Sequence, residues 1–252
     1  MDNLELTEAV YKVIVDGTLK GYLQYLEERK QKKATMAVSG AYAWTKGNHV
    51  DDQVAKMGHD LDFTIEKAGY TWEYLQFYLD KADEKFMIIV KNAKRVQQSL
   101  IKQQKQDNEH NYLYELAGCN VGLLRHRQVN STRQPEQIQL ELSDPNEVQA
   151  ILSDTRLEAN QKFSRFYIVT YEIDEQSKMI STIQLTMLNR ETMTLELIED
   201  LTRFIQQSDY QPTVEDVAPI MDESEMNRSV FSGDSNAFGY SIPVEKKATK
   251  EQ

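Results

Sequence analysis

Lys85-Phe86-Met87-Ile88-Ile89-Val90-Lys91 runs directly into Asn92-Ala93-Lys94-Arg95-Val96-Gln97-Gln98-Ser99-Leu100-Ile101-Lys102, and this junction decides the reading of the chain. Phe86 to Val90 is the longest uninterrupted apolar run, bounded by lysines and followed by a polar residue. That is strand length, far short of the ~20 apolar residues a membrane helix needs. From Asn92 to Gln106 the composition turns helical, with Val96, Leu100 and Ile101 as the only apolar stripe and basic residues over much of the rest. A buried strand therefore passes into a largely solvated, basic helix.

Upstream, Asp62 to Glu66 and Thr71 to Leu79 are rich in β-branched and aromatic residues and are separated by Gly69. With Lys85 to Lys91 they predict three short antiparallel strands in sequence. Before them, Asn48 is placed to cap a short helix from His49 to about Gly58, with Asp51 and Asp52 in its first turn, where negative charge is favoured. Ala34 to Gly47 reads as a loop given bulk by Tyr42 and Trp44. Leu6 to Lys33 carries Tyr11, Ile14, Val15, Leu19, Tyr22, Leu23 and Leu26 at helical spacing and predicts the first helix.

Downstream, the spacing predicts a short piece at Tyr112 to Leu116, strands at Val121 to Val129 and Gln134 to Ser143, and a helix from Asn146 to Leu157 opened by Asp144-Pro145. Phe163 to Ile173 and Met179 to Leu188 are joined by Asp174-Glu175-Gln176-Ser177-Lys178, which has hairpin length and turn composition. Thr192 to Ile198 adds a third strand, and Glu199 to Gln207 a capping helix. From Ser208 the pattern stops. Residues 209 to 252 hold nine acids, four bases and three of the five prolines, which predicts a disordered acidic tail. The alternative is a peptide that orders on a partner through Val230-Phe231 and Phe238 to Ile242. The expected class is α+β: residues 1-133 as an N-terminal helix, a short helix and a three-stranded sheet, 134-208 as a β-meander with a capping helix, and 209-252 as the tail.

The chain has 252 residues and a net charge of −11, a length that suits one large domain or two small ones. Cys119 is the single cysteine, so neither a disulfide framework nor a paired-cysteine zinc site is available and a reducing, cytoplasmic setting is expected. The acidic start Met1-Asp2-Asn3-Leu4-Glu5 lacks the basic residues of a signal peptide. Charge is unevenly spread. Residues 85 to 133 hold nine bases against three acids, a net of +6, and the remainder carries −17. One region can face phosphates although the whole is acidic. Lys91, Lys94, Arg95, Lys102, Lys105, Arg125 and Arg127 are the expected DNA or RNA contacts.

The order of a helix, three strands and a basic helix from Asn48 to Gln106 resembles the core of the PD-(D/E)XK nuclease superfamily. That resemblance implies carboxylates holding a divalent metal, Mg or Mn, and a lysine that positions or activates water. Asp51 or Asp52 on the helix, Asp62 and Glu66 on the first strand, Glu73 on the second and Lys91 at the end of the third are the candidates. The pattern departs at one point: an acid belongs two residues before the lysine, and Ile89 stands there. Gln76 is the nearest polar residue on the second strand. The implication is a degenerate or non-cleaving version of the fold.

Other chemistry has little support. His49-x-x-Asp52 and His59-Asp60-x-Asp62 match no defined ligand motif, and the expected role of these histidines is hydrogen bonding. Gly118-Cys119-Asn120 is a turn, and Cys119 is expected as a buried small hydrophobe unless His126 comes near it. No Walker or dinucleotide glycine loop is present. Trp44 to Gln53, Tyr70 to Phe77 and Ile89 to Ala93 together resemble proteins of no known activity from Gram-positive bacteria and their prophages. This resemblance implies a mobile-element or phage-defence setting. The expected function is nucleic-acid association through the basic helix. The rival is an acidic, non-enzymatic interaction module, an inhibitor or adaptor acting through its surface and tail.

Overall fold

The computed structural model describes residues 4–67, 73–81, 84–105, 112–124 and 163–221. Helix α1 (Glu8–Thr35) starts at Thr7, whose hydroxyl accepts from the Val10 N–H, and ends with Lys32 and Lys33 in its last turn, where cations complement the dipole. A 3-10 turn (Gly40–Trp44) leads into α2 (Lys46–Met57). The expected start at Asn48 is corrected. The Thr45 carbonyl accepts from the His49 N–H, so the helix begins earlier and Asp51 and Asp52 fall in its second turn.

Six strands follow: β1 (Asp62–Lys67), β2 (Glu73–Lys81), β3 (Glu84–Asn92), β4 (Arg165–Ile173), β5 (Ile180–Asn189) and β6 (Thr194–Asp200). They form one sheet in sequence order. Every neighbouring pair is antiparallel except β3 and β4, which run parallel with Phe86 opposite Arg165 and Asn92 opposite Tyr171. A parallel pair needs a long crossover, and α3 (Ala93–Lys105) and α4 (Tyr112–Leu116) lie on that connection. The β-meander expected as a separate C-terminal part thus continues the sheet of the first three strands.

Alternation along β3 builds both faces of the core. Phe86, Ile88 and Val90 join Ile14, Leu19, Tyr22, Val50, Val54, Val169 and Leu185 in the cluster that holds α1 and α2. Met87 and Ile89 join Val96, Leu100, Leu113, Phe166 and Ile168 beneath α3 and α4. The layers are helix, sheet, helix. Two glycines bring α1 onto α2: a Cβ at Gly17 would stand 2.7 Å from the Val54 Cα, and one at Gly21 2.5 Å from the His49 carbonyl oxygen and the Val50 Cα. Nothing larger than glycine fits where the backbones meet, and this contact sets the position of α2.

The end of the chain departs from expectation in two places. Glu199 and Asp200 belong to β6, and the capping turn is 3-10 from Thr202 to Gln207. Residues 209–221, expected in the disordered tail, are folded. Thr213 and Asp216 form a reciprocal capping box for α5 (Val214–Val217), Val217 and Ile220 enter the core cluster, and Lys33 of α1 donates to the Pro219 carbonyl. A short acidic segment with two buried aliphatics has enough apolar surface to dock when a helix is already there. The strand expected from Val121 does not form over its described part: residues 121–124 make a turn, with Gly122 at φ +97°, directly after the 3-10 turn Ala117–Asn120. The strand and helix expected at 134–143 and 146–157, and the tail anchors beyond 230, lie outside the described residues, as do Arg125, His126 and Arg127. No helix among the described residues is long and apolar enough to cross a membrane.

Candidate functional site

The end of β3 is where a cleft opens. Lys91 and Asn92 close the strand, α3 begins at Ala93, and the space between them, α2, α4 and the start of β2 holds a cavity of about 220 Å³. Trp44, Asp51, Glu73, Tyr74, Lys91, Arg95 and Tyr112 give it its chemistry.

Asn92 caps α3: its Oδ1 accepts from the Arg95 N–H at 3.2 Å, as asparagine does at this position. The first turn then breaks a local rule. It holds Lys94 and Arg95 and no acid, although the N-terminus of a helix carries partial positive charge and favours carboxylates. Lys91 adds a third cation at the same place. Its ammonium sits 4.4 Å from the centre of the Tyr74 ring, and the Arg95 guanidinium lies 5.5 Å from the Trp44 ring. These cation–π contacts hold the two charges while leaving them beside the cavity. Burial lowers the Lys91 pKa and Asp51 raises it, with Arg95 lowering it again.

Asp51 is the acidic counterpart. It is 6% exposed, and its Oδ2 accepts from the Leu75 N–H of β2 at 3.1 Å. Burial pushes its carboxyl up to about 6, opposed by the Lys91 charge and the Leu75 hydrogen bond. Its Oδ1 is buried without a hydrogen-bond partner among the described residues. Glu73, the first residue of β2, is exposed on the rim. Burial raises the Tyr112 hydroxyl pKa, so it stays protonated.

Of the expected catalytic candidates, Asp51, Glu73 and Lys91 share this cleft, and Asp52, Asp62 and Glu66 do not line it. Asp52 points away from it and pairs with Lys56 at 2.6 Å on the surface. Asp62 lies opposite Tyr78, while Glu73 lies opposite Lys67 at the other end of the same ladder, about 17 Å along at ~3.4 Å per residue. Glu66 is hydrogen-bonded to Thr64 on the exposed strand. Ile89 is fully buried beneath α3 and α4. Gln76 is buried and donates to the Tyr74 hydroxyl. The residues present do not fit a catalytic divalent metal. Among the described residues, Asp51 and Glu73 are the only carboxylates on the cleft, they share it with two cations, and no group of three metal-ligating side chains gathers.

The expected phosphate contacts divide as well. Lys91 and Arg95 line the cleft, and Lys94 stands on the same helical turn with its ammonium on Glu175 at 2.6 Å. Lys102 and Lys105 extend the same helix. His49 bonds Glu28 at 2.5 Å rather than Asp52. Cys119 donates to the Leu116 carbonyl, and burial pushes its thiol up to about 12, which leaves no thiolate for nucleophilic chemistry near neutral pH. Asp51 is the cleft residue that the spacing left undecided against Asp52. The helical phase carries the signal: Val50 and Val54 face the core, and Asp51 lies beside that stripe. No family model, curated protein or solved structure matches the chain.

Proposed function

We propose that this protein binds nucleic acid at the β3–α3 junction, seating a backbone phosphate between Lys91, Arg95 and the N-terminus of α3, and that it binds without cutting. The observation that carries the reading is the acid-free first turn of α3. Lys94 and Arg95 at the positive end of a helix, with Lys91 ending the strand before it, gather positive charge where anions are favoured, and Lys94 already meets Glu175 there at 2.6 Å. Lys102 and Lys105 continue the charge along the helix and suit a polymer better than a single small anion. The element order resembling the PD-(D/E)XK core, and the mobile-element or phage-defence setting implied by the second resemblance, are consistent with this reading. Cleavage has less support, because Ile89 holds the place of the acid and Asp52 and Asp62 lie elsewhere.

The test is fluorescence anisotropy of labelled single- and double-stranded DNA and RNA, with and without Mg²⁺ or Mn²⁺, on the full chain and on Lys94→Glu/Arg95→Glu. Affinity is expected to fall with salt and to drop at least tenfold in the double variant. Each lost phosphate contact flattens the salt dependence by about 0.7 to 0.9 in log–log slope. No salt-sensitive binding, or binding indifferent to the double variant, overturns the reading in favour of a protein-interaction module. Metal-dependent cutting overturns the non-cleaving part alone.

A further inference from the structure

We infer that Lys91 captures base-free nucleotides: its side-chain amine forms an imine with the C1′ aldehyde of an abasic, ring-opened sugar whose phosphate sits at Arg95 and the N-terminus of α3. The inference rests on the nucleic-acid reading above and adds to it the kind of strand taken and a covalent step.

Lys91 is half-buried at the end of β3 and lines the cavity. Among the described residues its ammonium makes no hydrogen bond and no close ion pair, and the Tyr74 ring lies 4.4 Å from it. Lys94, three residues on, is by contrast paired with Glu175. An ammonium has three donors to satisfy, and burial without acceptors disfavours its charged form. Burial accordingly pulls the Lys91 pKa down, with Asp51 opposing the effect and Arg95 adding to it. Solvent nevertheless reaches the nitrogen. Among the described residues the side-chain atoms that are both closed off and without a partner are Arg29 Nε, Asp51 Oδ1 and Arg190 Nε, and Lys91 Nζ is not one of them. An amine that is reachable, unpaired and pushed toward its neutral form is a nucleophile for a carbonyl carbon.

Intact nucleic acid carries no aldehyde, whereas an abasic nucleotide does: loss of the base frees C1′, and the sugar ring opens to expose it. One sugar then bears both an aldehyde and a phosphate, just as one junction holds both the Lys91 amine and the anion-favouring first turn of α3. At about 220 Å³ the cavity is smaller than the ~300–1,000 Å³ of sites for drug-sized ligands, which suits a sugar and a phosphate without a base. A damaged nucleotide also costs less to turn out of a duplex than a paired one. In the covalent step the neutral Nζ adds to C1′, and a proton passes from nitrogen to the carbonyl oxygen. The adduct then loses that oxygen as water, taking the second amine proton, and a C=N bond remains. No oxidant or reductant is consumed, and both phosphodiester bonds stay whole.

The experiment mixes the full chain with a labelled single strand carrying one abasic site and adds borohydride, which reduces an imine to a stable secondary amine. The adduct is read on a denaturing gel, and its attachment residue is mapped by peptide mass spectrometry. The control strand carries a tetrahydrofuran in place of the abasic sugar and has no aldehyde. The expected result is an adduct with the aldehyde strand alone, mapped to Lys91, and at least tenfold less of it in Lys91→Arg at protein concentrations that saturate the tetrahydrofuran strand. Comparison at saturation separates the loss of the amine from any loss of affinity. No adduct, an adduct spread over surface lysines or the N-terminal amine, or one undiminished in Lys91→Arg overturns this inference. Salt-sensitive binding of the tetrahydrofuran strand, lost in Lys94→Glu/Arg95→Glu, then leaves the nucleic-acid reading standing. Absence of that binding overturns both. The mapping on wild-type protein decides the matter even if the variant does not fold.

Discussion

The α1–α2 contact, where two helices meet, and the β3–α3 junction, where a strand passes into a helix, are built on opposite terms. At the first, glycines let two backbones touch, the surrounding side chains are apolar, and α1 carries an acid in its first turn and cations in its last. At the second, the helix starts with cations, a lysine is half-buried beside an aromatic ring, and a carboxylate oxygen has no donor among the described residues. One junction follows the local rules and the other breaks three of them within a few residues. Such conflicts gather where a surface is shaped for a ligand rather than for stability.

The largest effect should come from breaking the ordered junction. Gly21→Val places side-chain atoms where the His49 carbonyl and Val50 Cα stand, and overpacking against backbone is expected to cost at least about 3 kcal/mol, read from urea denaturation. Nucleic-acid binding should fall with it, because α2 carries Asp51. Unchanged stability would show that α1 and α2 do not need their close approach.

The second test loads the conflicted junction with pH. Asp51 has a folded-state pKa raised by burial to about 6 from 3.8. The stability that protonation confers is therefore fully present below pH ~3.8 and lost as pH rises through 6. At about 1.4 kcal/mol per unit, the wild type should lose on the order of 3 kcal/mol relative to Asp51→Asn over that window. Lys91 on β3, Arg95 on α3, Glu73 on β2 and Tyr112 on α4 share the cleft, and the difference between the two proteins isolates Asp51 from them. Parallel stability curves for the two would sink the assignment.

A smaller effect concerns the chain end. Ile220→Ala should cost about 2 kcal/mol, the low end for a buried isoleucine, if 209–221 belongs to the core that holds α1. A change within error would return that segment to the tail. The smallest effect is the most diagnostic of the comparison. Ala93→Asp places an acid in the first turn of α3 and should stabilise by about 0.5 kcal/mol through the dipole while weakening nucleic-acid binding several-fold. Stability and binding moving in the same direction would remove the argument that this turn is arranged for an anion.

Much of the fold was legible because the strands announce themselves locally. The six strand positions follow from period, β-branched content and turn residues, and each lies within about two residues of the strand that forms. α1 and α3 are legible for the same reason. The start of α2 was not, since Asn48 is a good cap by composition, but the preceding 3-10 turn already carries the backbone into helical geometry. Val217 and Ile220 were hidden in an acidic stretch because two aliphatics make no period; it takes the waiting surface of α1 to bury them.

At the site, sequence brought forward Lys91, Lys94, Arg95 and Glu73 through charge and position. It could not choose between Asp51 and Asp52. Adjacent residues on a helix differ by about 100° in direction, so one is buried in the cleft and the other pairs with Lys56 in water. Asp62 looked equivalent to Glu73 along the chain and sits at the other end of the ladder, because antiparallel pairing sends the start of β1 to the end of β2.

Sequence by itself determined the six strands, α1 and α3, their order, the single cysteine and the concentration of positive charge after β3, all of which depend on neighbours within a turn or a strand. The tertiary structure decided that β3 pairs in parallel with β4 across more than seventy residues of chain, that one sheet serves both halves, and that Asp51 shares a cleft with Lys91 and Arg95. Those outcomes depend on which apolar faces bury one another, and burial is a property of the assembled layers that no local pattern records.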